Sequence, residues 1–137
     1  MADRMEFKLP EVDQNYLNNT YPNWEALFNS QSPSEHWVLI HNYELPAGYQ
    51  VPTATVGLLI PAGYPRDQID MAYFDPPLSI TTQPKQPNAL TLRALDGKSF
   101  QQWSRHRTKT PWRPFKDNIN SHLAYVDSWL NKEAGAQ

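Results

Sequence analysis

Short turns rich in proline and glycine separate the apolar segments in the first half of the chain. Four of these segments have the composition of β-strands, at residues 24–28, 36–43, 53–60 and 69–74. The connections are too short to hold the helix that joins two parallel strands, so the four strands are predicted to form an antiparallel meander. A near-continuous apolar run at residues 56–60 predicts that the third strand is buried on both faces.

The second predicted strand has two distinct faces. Period-two alternation divides its residues into one set, Trp37, Leu39, His41 and Tyr43, and an opposite set, His36, Val38 and Ile40. The two histidines therefore lie on opposite faces and cannot bind the same metal ion. No metal site and no cofactor are predicted.

The clearest helix signal lies near the end of the chain. Apolar residues recur there at helical spacing, at Ile119, Leu123, Val126 and Leu130. Asp117 is predicted to be the N-cap, and the helix is predicted to pack on the sheet. His122 lies beside Leu123 and is interpreted as a packed or capping residue rather than a ligand. Strands followed by a packed helix predict an α+β fold.

The N-terminal residues are polar and lack a continuous apolar pattern. Asp13 could cap a helical turn at Tyr16 and Leu17, and Pro22 would limit its length. The predicted organisation is an irregular arm at residues 1–22, one domain at residues 23–133, and a flexible tail at residues 134–137.

Composition excludes several classes of function. The 137 residues carry a net charge of −2, which gives no electrostatic reason to expect nucleic acid or an acidic membrane as a partner. The chain has no cysteine, which excludes disulfides, thiolate zinc sites and thiol catalysis. It also lacks an N-terminal apolar segment of signal-peptide type and any apolar run of about 20 residues, so a cytoplasmic protein is expected.

Residues 96–114 combine two serines, a histidine, two tryptophans and five basic residues. They lie in a segment of roughly 35 residues after Pro77 that is predicted to be irregular, and irregular segments of this length are usually functional or disordered. Phe100, Trp103 and Trp112 require burial, which favours an ordered functional loop over a disordered one.

A family resemblance follows from motifs in this half of the chain. A Tyr-Pro turn at residues 64–65, a Pro-Pro step at 76–77, and Trp-Arg-Pro at 112–114 before a helix resemble the ubiquitin-conjugating enzyme fold. Trp-Ser-Arg-His at residues 103–106 is similar to a motif in a bacterial branch of that superfamily. The resemblance covers residues 24–130.

The resemblance implies a carrier enzyme. Such an enzyme accepts the C-terminal carboxyl group of a ubiquitin-like protein from an activating enzyme and transfers it to a target. The bacterial branch also implies a dedicated peptidase in the same pathway. A second possibility is an inactive adaptor that binds the ubiquitin-like protein or the activating enzyme, because folds of this family without a nucleophile occur as adaptors.

Two departures from the family pattern concern the active site. The family's nucleophilic thiol is missing, and its His-Pro-Asn motif appears here only as Gln-Pro-Asn at residues 86–88. In the family, this asparagine helps to stabilise the oxyanion, so the resemblance implies that role for Asn88. Backbone N–H groups of the loop are the alternative donors.

Two serines are candidates to replace the thiol. The family nucleophile stands about eight residues before the tryptophan of Trp-x-Pro, which indicates Ser104, whereas its distance from the Pro-Asn step indicates Ser99. Ser104 is favoured because it lies inside the branch's own motif. A serine hydroxyl needs a neighbouring base, and His106 can provide one if residues 104–106 are extended. The product would be an oxyester instead of a thioester.

Overall fold

The computed structural model describes residues 4–82, 86–107 and 111–135. The elements in chain order are α1 (Glu11–Thr20), β1 (Glu25–Asn29), β2 (Ser32–Glu44), β3 (Thr53–Ile60), β4 (Ala72–Asp75), β5 (Leu92–Leu95), β6 (Lys98–Trp103) and α2 (Ile119–Glu133). The predicted α+β class, with an antiparallel sheet and a C-terminal helix, is confirmed. The ends of the predicted arm and tail, at residues 1–3 and 136–137, lie outside the described residues.

Within the described residues, the sheet has six strands in the order β1-β2-β3-β4-β6-β5, two more than the predicted four. The first four strands pair in chain order, and the hairpin of β5 and β6 extends the sheet from β4. This hairpin lies in the segment that was predicted to be irregular. Its two-residue turn, Asp96-Gly97, has φ values of 54° and 72°. An Asp-Gly pair between two short apolar segments is a strong hairpin signal, so the sequence contained the information that this prediction missed.

Strand β3 packs against a hydrophobic core on each face of the sheet. Val56 and Leu58 of β3 belong to the larger core, which also contains the apolar face of α2. On the opposite face, Leu59 packs against a smaller core that includes Trp37 and Phe100. The predicted burial of β3 on both faces is therefore confirmed.

The predicted face of Tyr43 is wrong. The register between β2 and β3 shifts between Ile40 and Tyr43, and Asn42 in this interval has a φ of 58°. An extra residue at such a bulge reverses the alternation that follows it. Tyr43 therefore packs in the larger core with Ile40, while Trp37 belongs to the smaller core.

The N-terminal helix α1 spans ten residues, so the prediction of an irregular arm with one helical turn is wrong. Pro10 occupies the N-cap position, and Leu17 is fully buried in the larger core. Burial of this leucine explains the stability of a helix whose sequence has few apolar residues.

The N-cap of α2 is Asn118, one residue after the predicted Asp117. Asn118 Oδ1 accepts a hydrogen bond from Ser121 N at 3.0 Å, and Ser121 Oγ accepts one from Asn118 N at 2.9 Å. These reciprocal bonds form a capping box. Asp117 instead accepts a hydrogen bond from the Arg113 backbone N–H at 2.7 Å and pairs with the Arg113 guanidinium.

Arg4 joins the two ends of the sheet. Its guanidinium binds Glu25 of β1 at 2.8 Å and Asp96 of the β5–β6 turn at 2.7 Å. The hydrogen bonds from Arg4 lower the pKa of Glu25 to about 2. The first strand and the last hairpin therefore lie close together, although they are at opposite ends of the strand order. In the described part of the chain, neither helix has the length and apolarity needed to cross a bilayer.

Candidate functional site

The segment Ser104–Arg107 leaves the end of β6 without entering a helix. Its side chains point alternately in two directions. Ser104 and His106 are on the solvent side, whereas Arg105 and Arg107 are held against aromatic rings. Residues 108–110 lie outside the described residues, and they include Lys109, one of the five basic residues noted in the sequence.

The structure brings together two of the predicted site residues, Ser104 and His106. Ser104 Oγ lies 3.2 Å from His106 Nε2, within hydrogen-bond distance. This contact requires an extended segment, because residues two apart diverge on a helix. The predicted juxtaposition of the hydroxyl and the imidazole is therefore present.

Asp70 extends this pair to three groups. His106 Nδ1 lies 3.4 Å from Asp70 Oδ1, so a hydroxyl, an imidazole and a carboxylate are joined in the order Ser–His–Asp. When Nδ1 carries the proton and faces Asp70, Nε2 is free to accept the proton of Ser104. The three groups are open to water, since the side chains of His106 and Asp70 are 66% and 37% exposed.

Sequence reasoning missed Asp70. It is separated from His106 by 36 positions and lies just before β4. The antiparallel pairing of β4 with β6 places Ala72 opposite Trp103, and this pairing brings the start of β4 beside the end of β6. Asp70 lies within the strand predicted at residues 69–74, and a carboxylate in a predicted strand does not identify a partner.

Arg105 anchors the segment to the core. Its guanidinium lies 4.6 Å from the ring centroid of Trp103 and 5.8 Å from that of Trp129. It also forms a bidentate ion pair with Glu133 at the end of α2. Stacking and pairing hold this arginine in place and thus fix the backbone on either side of it.

Arg107 and α2 hold the other end of the segment. Arg107 donates a hydrogen bond to His122 Nδ1 at 3.0 Å and lies over the Tyr125 ring at 4.4 Å. Tyr125 Oη donates to the backbone oxygen of His106 at 2.9 Å. His122 Nε2 donates to the backbone oxygen of Met71 at 3.1 Å, so this histidine has the predicted packing role. Burial lowers the pKa of His122 to about 4, which keeps its imidazole neutral.

Asn88 is exposed and lies near the backbone of Ser104. Nη1 of Arg105 donates to the carbonyl oxygen of Ser104 at 3.1 Å and to the carbonyl oxygen of Asn88 at 3.3 Å. A single guanidinium group therefore connects the loop of Asn88 with the residue predicted to be the nucleophile.

Ser99 is not brought together with the other candidates. It is exposed on β6, opposite Ala94 and next to the hairpin turn. The four strand steps from Ser99 to Trp103 span about 13 Å, and Ser104 follows beyond them. Ser99 is thus at the far end of the strand from His106.

The arrangement suits nucleophilic chemistry at a serine. A hydroxyl is bonded to an imidazole, and the imidazole is oriented by a carboxylate, as acyl transfer to serine requires. Among the described residues, no group of three histidine, aspartate or glutamate side chains is placed to hold a metal ion.

Comparison with known protein families finds a match over most of the chain. Prokaryotic E2 family E matches residues 9–133 of the chain. This match covers most of the chain and confirms the resemblance to a bacterial ubiquitin-conjugating-like branch. It supports a role in ubiquitin-like conjugation, with an activating enzyme and a ubiquitin-like protein as partners. No curated protein and no solved structure matches the chain.

Proposed function

The chain belongs to prokaryotic E2 family E, and we propose that it carries a ubiquitin-like protein as an oxyester on Ser104. An activating enzyme would supply the C-terminal acyl group of that protein, and a target would accept it from Ser104. A dedicated peptidase in the same pathway remains part of the proposal.

The observation that supports Ser104 is its 3.2 Å contact with His106 Nε2. A serine hydroxyl is a weak nucleophile unless a base removes its proton. As Ser104 Oγ bonds to the acyl carbon, His106 Nε2 takes the hydroxyl proton and the bond to the activating enzyme's leaving group breaks. Asp70 holds the imidazole in the tautomer that accepts this proton.

Asn88 is proposed as a donor to the oxyanion. Its backbone is connected to that of Ser104 through Arg105, which places its loop beside the reacting residue. A donor in this position stabilises the negative charge that develops on the acyl oxygen. Ser99 is the second predicted attachment position, and we place the modifier on Ser104 because Ser99 is at the other end of β6.

Mass spectrometry of the reconstituted reaction tests this proposal. The protein is incubated with ATP and with its cognate activating enzyme and ubiquitin-like protein. The expected product is a covalent adduct that resists thiol reductants and is cleaved by hydroxylamine. Ser104→Ala should abolish the adduct and Ser99→Ala, the matched control, should retain it. His106→Ala should slow adduct formation by roughly 10²-fold or more. An equal yield of adduct from Ser104→Ala would refute the assignment.

A non-catalytic adaptor is the second candidate function. Leu90, two positions before β5, and Leu92, the first residue of β5, are 89% and 57% exposed. Within the described part of the chain, β5 has a pairing strand on one side only. Exposed apolar side chains beside an unpaired strand edge favour binding to another protein. This function predicts a stable complex with the ubiquitin-like protein or the activating enzyme and no covalent adduct. Leu92→Asp should then weaken the complex in a pull-down assay, whereas Ser104→Ala should not.

A further inference from the structure

We propose that Ser104, His106 and Asp70 also hydrolyse small acyl esters, so that this site passes acyl groups to water. The inference concerns the site of the proposed function, but it requires neither a ubiquitin-like protein nor an activating enzyme. It follows from the order of the three groups together with their access to solvent.

Water has access to the imidazole of His106, the base at this site. The His106 side chain is 66% exposed and that of Asp70 is 37% exposed. An enzyme that protects an acyl group from hydrolysis excludes water from its reacting atoms. Here the imidazole that activates the Ser104 hydroxyl can bind a water molecule in the same way, once the hydroxyl is acylated.

The first half of the reaction forms an acyl-serine. His106 Nε2 takes the proton of Ser104 Oγ while Oγ bonds to the carbonyl carbon of the ester. The bond between that carbon and the alcohol oxygen then breaks, and the imidazolium returns the proton to the departing alcohol. One ester has been exchanged for another, and the alcohol is released.

The second half consumes water. His106 Nε2 takes a proton from water as the water oxygen bonds to the acyl carbon. The bond from that carbon to Ser104 Oγ breaks, and Oγ receives the proton from the imidazolium. The carboxylic acid leaves and the serine is restored, so no further reactant is needed.

The surroundings of Asp70 indicate the class of substrate. Asp70 lies at the edge of a shallow hollow whose wall is mainly apolar and includes Leu59, Met71 and Tyr73. This hollow adjoins the carboxylate end of the Ser–His–Asp arrangement. An ester with a short apolar acyl chain fits this setting better than one with a charged acyl chain.

The test measures the hydrolysis of p-nitrophenyl butyrate by the full-length protein. Ser104→Ala and His106→Ala should each reduce kcat/KM at least tenfold. The matched controls are Ser99→Ala, an exposed serine near the other end of β6, and Asp67→Asn, an exposed carboxylate three positions before Asp70. Both controls should hydrolyse the ester at the rate of the unmodified protein.

Asp70 is a positioning residue, because it acts through His106. Asp70→Asn should lower kcat at least tenfold and leave both KM and the melting temperature unchanged. Asp70→Glu should restore part of kcat, since it returns a carboxylate. A purely structural role for Asp70 would instead lower the melting temperature in parallel with activity.

Two results would overturn the proposal. One is hydrolysis by Ser104→Ala at the unmodified rate, which would show that the ester reacts elsewhere on the surface. The other is an equal rate of ester hydrolysis by the unmodified protein and by His106→Ala, when circular dichroism shows that both proteins are folded. Ester hydrolysis that depends on Ser104, without a modifier adduct, would support this inference and contradict the carrier function. An adduct on Ser104 without ester hydrolysis would support the carrier function and contradict this inference.

Discussion

The carboxylate of Asp13 accepts a hydrogen bond from the backbone N–H of Ile119, 3.0 Å away and 106 positions later in the chain. Tyr64 Oη donates to the other carboxylate oxygen of Asp13 at 2.8 Å. Asp13 is only 1% exposed. This aspartate of α1 therefore satisfies a free N–H group in the first turn of α2, the helix whose Tyr125 contacts the backbone of His106.

Asp13→Ala should destabilise the protein strongly. It leaves the Ile119 N–H and the Tyr64 hydroxyl without their buried acceptor, which is expected to lower the free energy of unfolding by about 2–4 kcal/mol. Asp13→Asn keeps an acceptor oxygen for Ile119 and should cost less. Urea unfolding of the three proteins measures these differences, and equal midpoints would contradict the role given to Asp13.

The same carboxylate has a defined pH dependence. Burial raises the pKa of Asp13 above its ordinary value. The folded state therefore binds the proton more tightly than the unfolded state, and this contribution to stability is lost as pH rises through the folded-state pKa. Asp13→Asn, which cannot titrate, should remove this decrease from the pH profile of the free energy of unfolding.

His122 should make the fold sensitive to mild acid. Burial lowers its pKa from 6.5 to about 4, so the unfolded state binds the proton more readily. Stability is therefore lost as pH falls from about 6.5 towards 4, by up to about 3 kcal/mol. His122→Gln should lower stability at neutral pH, because the contacts of the imidazole with Arg107 and the Met71 carbonyl are altered.

Urea unfolding between pH 7 and pH 4 measures the effect of His122. The loss of stability over this interval should be smaller in His122→Gln than in the unmodified protein. His36→Gln is the matched control, because His36 is only half-buried. An unchanged slope in His122→Gln would assign the acid sensitivity to other groups.

Gly97→Ala should weaken the β5–β6 hairpin through backbone strain alone. Gly97 has a φ of 72°, and a Cβ atom there would meet no other atom within 4 Å. The cost of holding a residue other than glycine in this region is about 1 kcal/mol. Gly97→Asn should cost less, since asparagine tolerates this conformation better. Thermal unfolding compares the two variants, and Lys98→Ala at the neighbouring exposed position should show no comparable loss.

Local patterns were sufficient for much of the fold. The apolar face of α2, the burial of β3 on both faces and the antiparallel order of the early strands all follow from periodicity and short turns. The hairpin of β5 and β6 was also predictable, because Asp96-Gly97 is a local signal. The error at Tyr43 has a different origin, since a bulge changes the alternation without a clear mark in the sequence.

Competition between neighbouring residues explains other errors. Asp117 and Asn118 are both good N-cap residues, and the sequence does not rank them. Arg113 engages the Asp117 carboxylate, which leaves Asn118 to cap α2. Asp13 was interpreted as the cap of its own helical turn, but it binds the start of α2 instead.

The sequence by itself determined that Ser104 and His106 would meet if their segment is extended, because residues two apart in an extended segment lie on the same side of the backbone. The structure supplies that extended conformation. Only the tertiary structure decided that Asp70 joins them and that Ser99 does not. The pairing of β4 with β6 brings Asp70 to the end of β6 across 36 positions, while the rigid length of β6 keeps Ser99 away. Spacing in the sequence determines contacts along one segment, but contacts between segments depend on the sheet that joins them.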